Sequence, residues 1–295
     1  MKRVLVIGAA VIAMFAGPAF AADMPLKAPP PPPAPVAPSW TGFYLGGEVG
    51  EEWSKNHWDP TCVQGGGPPL GTCGSGVSLA TFPGFPDGNQ SFDMSGVRYG
   101  IYDGFMFQAY DRWVFGAEGD YAFHSQTKSV GFIVGCATGA CQGPNGNNFG
   151  LQLTGEGTSL KLGDDASFRV RGGFLVTPDL QLYAAGGPAW QKVEATVVCS
   201  NTGATNCGFA LTDTFSSHSE KWLAGFTVGG GLEWKVWNNI LLRGEYRYND
   251  YGTWHQQSNF PIAANVQELA NVHVKSQVAT FGIAWLFGPP RLPAW

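Results

Sequence analysis

The sequence predicts an all-β protein, an eight-stranded antiparallel up-and-down transmembrane β-barrel. Between Trp40 and Phe287, eight stretches alternate residue types with period two, which places successive side chains on opposite faces of a sheet. The connections between them are alternately long and short, so all tight turns lie at one end, beside both chain ends. Charged residues are 13% of the chain, against roughly 25% in soluble domains, as expected when one face of every strand meets lipid.

The first 21 residues predict a secretory signal peptide. Lys2 and Arg3 precede an apolar run that ends at Phe15, and the small-x-small triplet 19–21 predicts cleavage after Ala21. The apolar run is too short for a membrane-spanning helix. Cleavage removes Lys2 and Arg3, so 15 basic residues then face 22 acidic ones and the mature charge is −7. Because no basic patch remains, nucleic acid is not expected as a partner.

Three further parts follow the signal peptide. Residues 22–39 are rich in Pro, which favours polyproline II and cannot join a ladder, so they predict a periplasmic spacer. Residues 40–287 form the predicted barrel and 288–295 a short C-terminal tail. The long loops, which we expect outside the cell, are predicted at about 55–93, 125–165, 198–220 and 252–272.

Each predicted strand has an apolar or aromatic row on one face. In chain order the strands are predicted at about 41–54, 94–109, 112–124, 166–177, 180–197, 221–236, 240–251 and a last segment that ends at Phe287. The clearest outward row lies in the sixth strand, where it runs from Trp222 to Trp234. Tight turns are predicted at Tyr110-Asp111, Pro178-Asp179 and Asn238-Asn239.

Two positions interrupt this regularity. Asp103 breaks the outward row of the second strand, and a lipid-facing Asp costs about 2 kcal/mol near the membrane midplane. We therefore expect a local slip of phase or a rim position there. In the fifth strand the alternation changes phase between Trp190 and Val193, and Pro188 lacks a ladder donor. A β-bulge near Pro188 would explain both features.

Aromatic residues cluster near the strand ends, which predicts two girdles at the membrane interfaces. The predicted girdle by the tight turns contains Trp40, Tyr110, Trp113, Trp237 and Phe287, and the outer one contains Trp53, Trp190, Trp222 and Trp254. A soluble eight-stranded barrel is the alternative, but it would carry its charges outside. Here the charges share the face opposite the apolar rows.

That opposite face predicts a charged interior. Five acidic residues balance five basic ones, and an eight-stranded barrel is just wide enough for side chains to fill it. Because buried charges need partners, we expect pairs that plug the lumen. A conduction path for small solutes is the alternative, and catalysis by paired carboxylates is not expected. The residues are Glu48, Glu118, Asp120, Arg169, Arg171, Glu233, Lys235, Arg243, Glu245 and Arg247.

Six cysteines fall in pairs within single long loops, which predicts local disulfides in an exported protein. The pairs are Cys62 with Cys73, Cys136 with Cys141, and Cys199 with Cys207. Because none has CxxC spacing, we predict no metal site, and we expect no cofactor. The five histidines lie in or beside the predicted loops, where they could serve a haem-binding surface or simply be solvated: His57, His124, His218, His255 and His273.

Four segments resemble one known family. They are the mature start 22–25, the stretch 40–47 (WTGFYLGG), the stretch 225–234 (GFTVGGGLEW) and the stretch 243–248 (RGEYRY). Together they are similar to the small surface-antigen, or outer-membrane immunogenic, barrels of Gram-negative bacteria. The resemblance implies an OmpA-like eight-stranded barrel that serves surface display and envelope integrity, with haem binding or host contact in some members; many are labelled porins.

The resulting functional prediction is a monomeric barrel of the cell outer membrane with a structural, surface-exposed role and no catalysis. Its expected surroundings are outer-membrane lipid and lipopolysaccharide, and its expected transient partner is the barrel assembly machinery. The sequence does not identify an extracellular partner. A narrow porin-like pore and a loop-based binder of haem or a host surface are the alternatives.

Overall fold

The protein is described by a computed structural model that covers residues 39–64, 70–71, 90–130, 157–200, 214–237, 239–260 and 266–288. The chain divides into two compact units, Met1–Ala37 and Pro38–Trp295, and every described residue belongs to the second. The predicted signal peptide, the spacer up to residue 38 and the tail after Gly288 lie outside the described residues.

The described residues form ten β-strands, and all their pairings are antiparallel. They are β1 (Gly42–Gln64), β2 (Leu70–Gly71), β3 (Gln90–Ala109), β4 (Trp113–Phe123), β5 (Gln126–Val130), β6 (Gly157–Thr177), β7 (Leu180–Ser200), β8 (Thr214–Trp237), β9 (Ile240–Phe260) and β10 (Val266–Phe287). Within these ranges, no helix is both long enough and apolar enough to cross a membrane.

The sheet closes on itself into a barrel with eight strand positions around its circumference, here called staves. Strand β1 pairs with β3 on one side and with β10 on the other, the latter from Phe43 opposite Phe287 to Gln64 opposite Gln267. Strands β4 and β5 follow one another along the same edge of β6 and make one stave. Strand β2 only extends the sheet beside the end of β1. The described strands confirm the predicted all-β, eight-stave fold.

The tight turns lie together at one end, as predicted. Tyr110, Asp111 and Arg112 join β3 to β4, and Tyr110 and Asp111 have left-handed φ values of 51° and 59°. Pro178 and Asp179 join β6 to β7, and β9 begins at Ile240, three residues after the end of β8 at Trp237. Because such short connections can join only neighbouring antiparallel strands, they fix the order of the strands around the barrel.

The strands extend much farther from this end than predicted. Strand β1 runs to Gln64 rather than to residue 54, and β9 and β10 leave only residues 261–265 between them instead of 252–272. The predicted long loops were therefore too long. In these outer parts of the strands the side chains still alternate between the two faces. Here, however, polar side chains such as Lys55 and His57 face outward, whereas apolar ones such as Trp58 are buried inside. This inversion follows because, beyond the lipid, water is outside and the apolar core is inside.

The prediction of a β-bulge near Pro188 was wrong, because the same inversion explains the pattern that suggested it. The register between β7 and β8 runs unbroken from Leu180 opposite Trp234 to Ser200 opposite Thr214. Trp190 faces outward at the lipid edge and Val193 faces the interior above it, so their spacing imitates a change of phase. The irregularity lies instead in β6, whose register with β7 shifts between Leu162 and Asp165.

The outer surface around the barrel is a belt of exposed apolar side chains between two aromatic girdles. Two predicted girdle members were wrong: Trp40 and Trp254 are 0% and 5% exposed and lie inside the barrel. Trp40 donates its indole N–H to the Pro178 carbonyl at 2.9 Å. The exposed girdle residues are Tyr110, Trp113, Trp237 and Phe287 by the tight turns and Trp53, Trp190 and Trp222 at the outer side.

Asp103 faces outward within this belt without any slip of register, contrary to the prediction. It lies opposite Leu45 on one side and Gly119 on the other in regular ladders. Seven residues separate it from Tyr110, about 17 Å at roughly 2.5 Å per residue along the axis of a tilted strand. A one-residue slip would turn the whole outward row of β3 inward, which costs more than one lipid-facing Asp.

Inside the barrel, side chains form three successive layers. A floor cluster lies by the tight turns and contains Trp40, Tyr44, Tyr102, Met106, Val114, Leu175, Leu241, Ala284 and Leu286. A charged layer lies above it, described below. An upper apolar cluster fills the extended part of the barrel and contains Trp58, Phe92, Met94, Leu160, Leu162, Ala189, Val193, Ala195, Val197, Leu223, Tyr251, Trp254, Ala270, Val272 and Val274.

Candidate functional site

The barrel register brings the predicted interior charges into one layer. Glu118 lies directly opposite Arg169, and Glu233 directly opposite Arg243, because the inward positions of paired strands coincide. None of the nine predicted residues in this charged layer is more than 7% exposed: Glu48, Glu118, Asp120, Arg169, Arg171, Glu233, Arg243, Glu245 and Arg247. Lys235 lies lower, against the ring of Trp40, and donates to the Ser39 carbonyl at 2.8 Å.

Arg98 is a central member of this layer that the sequence analysis missed. Its Nε and one Nη bind the two oxygens of Asp165 at 2.9 and 2.8 Å, and the same Nη reaches Asp120 at 2.8 Å. Its other Nη contacts Glu48. The alternation did place Arg98 on the inward face, between outward Val97 and Tyr99, but Asp165 fell just before the predicted start of its strand.

Strand β6 contributes a pair of arginines at the centre of the layer. Arg169 donates to Glu118 and, at 2.5 Å, to Glu245, with Asp120 3.5 Å away. Arg171 donates to Glu233 at 2.6 Å and to Glu118 at 3.3 Å. Each guanidinium therefore bridges two carboxylates that come from different strands.

Strand β9 supplies the remaining members. Arg243 donates to Glu118 and, at 2.9 Å, to Glu48, and its guanidinium lies 3.6 Å from the ring centre of Tyr102. Arg247 donates to both oxygens of Asp120 at 3.1 Å. Glu118 thus accepts from three arginines as well as from the Tyr44 hydroxyl at 2.6 Å. The pairs join into one continuous cross-link between staves on opposite walls.

The histidines divide between the two faces of the barrel. His124 is buried in the lumen between β4 and β5, next to Glu52 and Asp165. The other four lie on strands of the outer surface rather than in loops, a consequence of the underestimated strand lengths. They are His57, His218, His255 and His273, and the last three approach Thr196, Asn271 and Thr253 at 3.0, 2.6 and 3.0 Å.

The predicted disulfides lie outside what the structure describes. Cys73, Cys136, Cys141 and Cys207 are not among the described residues, and of Cys62 and Cys199 only the backbone is described. The pairing stays a prediction.

Comparison with known proteins agrees with this architecture. The family described as "Outer membrane protein beta-barrel domain" matches residues 7–287. The 31 kDa outer-membrane immunogenic protein of Brucella melitensis is 31% identical over 85% of this chain and 88% of its own length. The 25 kDa outer-membrane immunogenic protein of Brucella abortus is 29% identical over 85% of each chain.

Among solved structures, the outer membrane protein OprG from Pseudomonas aeruginosa aligns with 86% of this chain and 100% of its own at 13% identity, with a TM-score of 0.47. The family match and the curated relatives confirm that the protein is located in the outer membrane. The chain therefore belongs to the outer-membrane β-barrel family that includes the outer-membrane immunogenic proteins of Brucella.

Proposed function

We propose that this barrel has a structural and surface-exposed role, with a lumen closed by its own side chains and with no catalysis. The observation that carries the proposal is the charged layer. Its guanidinium groups and carboxylates come from β1, β3, β4, β6, β8 and β9 and contact one another across the lumen. Such a cross-link supports the walls and leaves little room for a continuous water path.

The upper apolar cluster supports the same conclusion independently. A path through the charged layer would next have to cross a packed region that includes Trp58, Phe92 and Trp254, all at most 5% exposed. Apolar constrictions oppose the passage of hydrated ions because they offer no hydrogen bonds in exchange for water. A closed barrel needs only one such layer, and this one has two.

The same geometry argues against acid–base catalysis. Glu118 and Asp120 are surrounded by guanidinium groups and lie below the upper apolar cluster, away from bulk water. A general base must reach a substrate proton within hydrogen-bond distance. Here the carboxylates are already engaged with arginines, and a substrate would have to displace a packed core.

The extended staves favour surface exposure. Strand β1 continues eleven residues past the girdle residue Trp53, which corresponds to about 28 Å beyond the lipid at roughly 2.5 Å per residue. The curated relatives are named immunogenic, which fits a region that stands above the membrane. In this proposal the protein is a monomer surrounded by lipid and lipopolysaccharide and inserted by the barrel assembly machinery.

A second candidate function is ligand binding by the outer face of this extension. His57 and His273 are direct cross-strand neighbours on β1 and β10, and both face outward. Cross-strand neighbours have Cβ atoms about 5 Å apart, so one of the two imidazoles could bind a haem iron while the other contacts the edge of the same haem. A spectral shift on haem titration that disappears in His57→Ala/His273→Ala would support this function, and the absence of any shift would reject it.

Planar-bilayer recording of the refolded mature protein tests the closed lumen. We expect no steady conductance of general-porin size from the wild type. Arg171→Ala/Glu233→Ala removes a complete interior ion pair but leaves the upper apolar cluster intact, so conductance events should appear only when Trp58→Ala is added to it. Lys192→Ala/Glu194→Ala removes an ion pair on the outer surface, formed at 3.2 Å, and is the matched control that should leave the record unchanged. Large steady steps from the pure wild type would refute the closed lumen and favour the pore.

A further inference from the structure

We propose that Glu52, His124 and Asp165 form a binding site for one divalent transition-metal ion, with Zn²⁺ as the ion that best fits the donor set. The three residues come from β1, the β4–β5 junction and β6, and they meet where the charged layer borders the upper apolar cluster. The proposal does not depend on the closed lumen, since an ion bound at this height would be held with either a closed or an open barrel.

The geometry brings one donor atom from each residue to within 4.8 Å of the other two. His124 Nε2 lies 3.2 Å from Glu52 Oε2, and His124 Nδ1 lies 3.4 Å from Asp165 Oδ2. Two ligands on a tetrahedral Zn²⁺ are about 3.4 Å apart, given metal–ligand distances near 2.1 Å. Glu52 and Asp165 lie beside different ring nitrogens, and one ion can bind only one of these. The carboxylate beside the other nitrogen must therefore rotate around the ring and close a separation of up to 4.8 Å to about 3.4 Å.

Unsatisfied buried atoms point to a missing cation. Glu52 is 0% exposed, and among the described residues its carboxylate is approached by His124 and Ser276 but has no hydrogen bond of good geometry to either. His124 Nδ1 and Gln191 Oε1 are likewise buried and without a hydrogen-bond partner among the described groups. A carboxylate in such a place is costly unless a cation compensates it. The orphan atoms can all donate a lone pair to a metal.

The buried charges also leave room for an extra positive charge. Among the described residues, seven buried carboxylates face six buried Lys and Arg side chains. The carboxylates are those of Glu48, Glu52, Glu118, Asp120, Asp165, Glu233 and Glu245, and the cations are Arg98, Arg169, Arg171, Lys235, Arg243 and Arg247. Arg98 binds Asp165, whereas Glu52 contacts no arginine or lysine among the described residues.

The donor chemistry selects the kind of metal. One imidazole nitrogen with two carboxylates suits Zn²⁺ and related first-row ions, whereas Ca²⁺ and Mg²⁺ prefer all-oxygen sites. The residues behind the donor atoms are already held in place. Arg98 orients Asp165, and the Gln191 amide donates to the Gly163 carbonyl at 2.7 Å and contacts the His124 ring. Gln191 Oε1 or a water could complete a fourth position.

A proton on His124 is the competing explanation, because an imidazolium between Glu52 and Asp165 would also supply one positive charge. The experiment separates the two. Untagged mature protein is refolded in detergent with excess Zn²⁺ or Co²⁺, since the upper apolar cluster covers the site after folding. Unbound ions are then removed by dialysis against a weak chelator, and metal per folded chain is measured by mass spectrometry.

We expect about one ion per wild-type chain and, with Co²⁺, visible absorption bands typical of a four-coordinate ion. Glu52→Gln and His124→Asn should each lower the retained metal at least tenfold while the barrel still shows its heat-modifiable gel mobility. His255→Asn, which removes a histidine from the outer surface, is the matched control and should retain wild-type metal. Wild-type protein that retains no metal under these conditions overturns the proposal and leaves the imidazolium.

The proposal is also overturned if folded Glu52→Gln and His124→Asn retain the ion, or if His255→Asn loses it. If neither lumen variant folds, X-ray absorption at the zinc edge decides instead, using folded protein in which the four outer histidines (His57, His218, His255 and His273) are replaced by Asn so that His124 is the one that remains. One imidazole and oxygen donors around the ion support the site. A shell with oxygen donors alone refutes it.

Discussion

Removing Arg169 should destabilise the barrel because two buried carboxylates lose a partner at once. Arg169 is 0% exposed and binds Glu118 and Glu245. Glu118 keeps Arg171 and Arg243, and Glu245 keeps the Tyr183 hydroxyl at 2.5 Å. We therefore place the cost of Arg169→Met at the lower end of the range for broken buried ion pairs, about 3 kcal/mol. This corresponds to roughly a hundredfold smaller folding equilibrium constant.

Reversible urea unfolding in detergent micelles, followed by tryptophan fluorescence, measures this loss. The double variant Arg169→Met/Glu245→Gln removes one charge of each sign and should lose less than Arg169→Met alone, because fewer buried charges stay unpaired. Lys55→Met, on the outer face of the extension, is the control and should change stability by about 0.5 kcal/mol or less. A stable Arg169→Met protein, or a double variant weaker than the single one, would refute the network as the support of the barrel wall.

Four other predictions follow. Asp103→Leu should stabilise the barrel by about 1–2 kcal/mol, since it removes a carboxylate from the lipid-facing belt; a loss of stability in the same urea assay would indicate that Asp103 binds something. An epitope tag at Asn147 should be accessible to antibody on intact cells and a tag at Asn238 should not, and the reverse pattern would invert the topology. Deletion of residues 288–295 should be tolerated whereas Phe287→Asp should block membrane insertion, unless the tail itself is what the assembly machinery recognises. Non-reducing peptide mapping should find three local disulfides, each worth roughly 2–3 kcal/mol in the chain-entropy model, and cross-loop pairs would contradict the local pairing. The expected disulfides are Cys62–Cys73, Cys136–Cys141 and Cys199–Cys207.

The stave number and the interior face were predictable because both depend on the two-residue period alone. Glu118 and Arg169 occupy inward positions whatever the exact register, and the tight turn at Tyr110-Asp111 fixes which strands are neighbours. Arg98 was equally accessible from the pattern, since it alternates with outward Val97 and Tyr99. It was missed because the outward row alone was followed in that strand.

The strand ends were not predictable from the same pattern. Alternation has no absolute sense: an apolar residue faces lipid below the outer girdle and faces the core above it. Trp190 therefore faces outward and Val193 inward, although both lie in β7, whose register with β8 is unbroken. Trp40 and Trp254 were misplaced for a related reason, because proximity to a strand end does not tell whether the ring faces the membrane or the lumen.

The cluster of Glu52, His124 and Asp165 had no sequence motif at all. Its members are separated by about seventy and about forty residues and meet only because β1, β3, β4 and β6 are neighbours in the closed sheet. The prediction of no metal site rested on cysteine spacing, which says nothing about donors assembled from separate staves.

The inversion of the alternation links the fold to the proposed role. A barrel that only anchored short loops could end its strands at the outer girdle, where Trp53 and Trp222 lie. These staves continue, and the continuation needs a core of its own, because strands outside the lipid are stable only when one face is buried. The upper apolar cluster supplies that core and at the same time covers the charged layer. In the proposed closed barrel, the part that raises the connections above the membrane is also one of the two layers that close the lumen, so truncating it should affect surface exposure and weaken closure together.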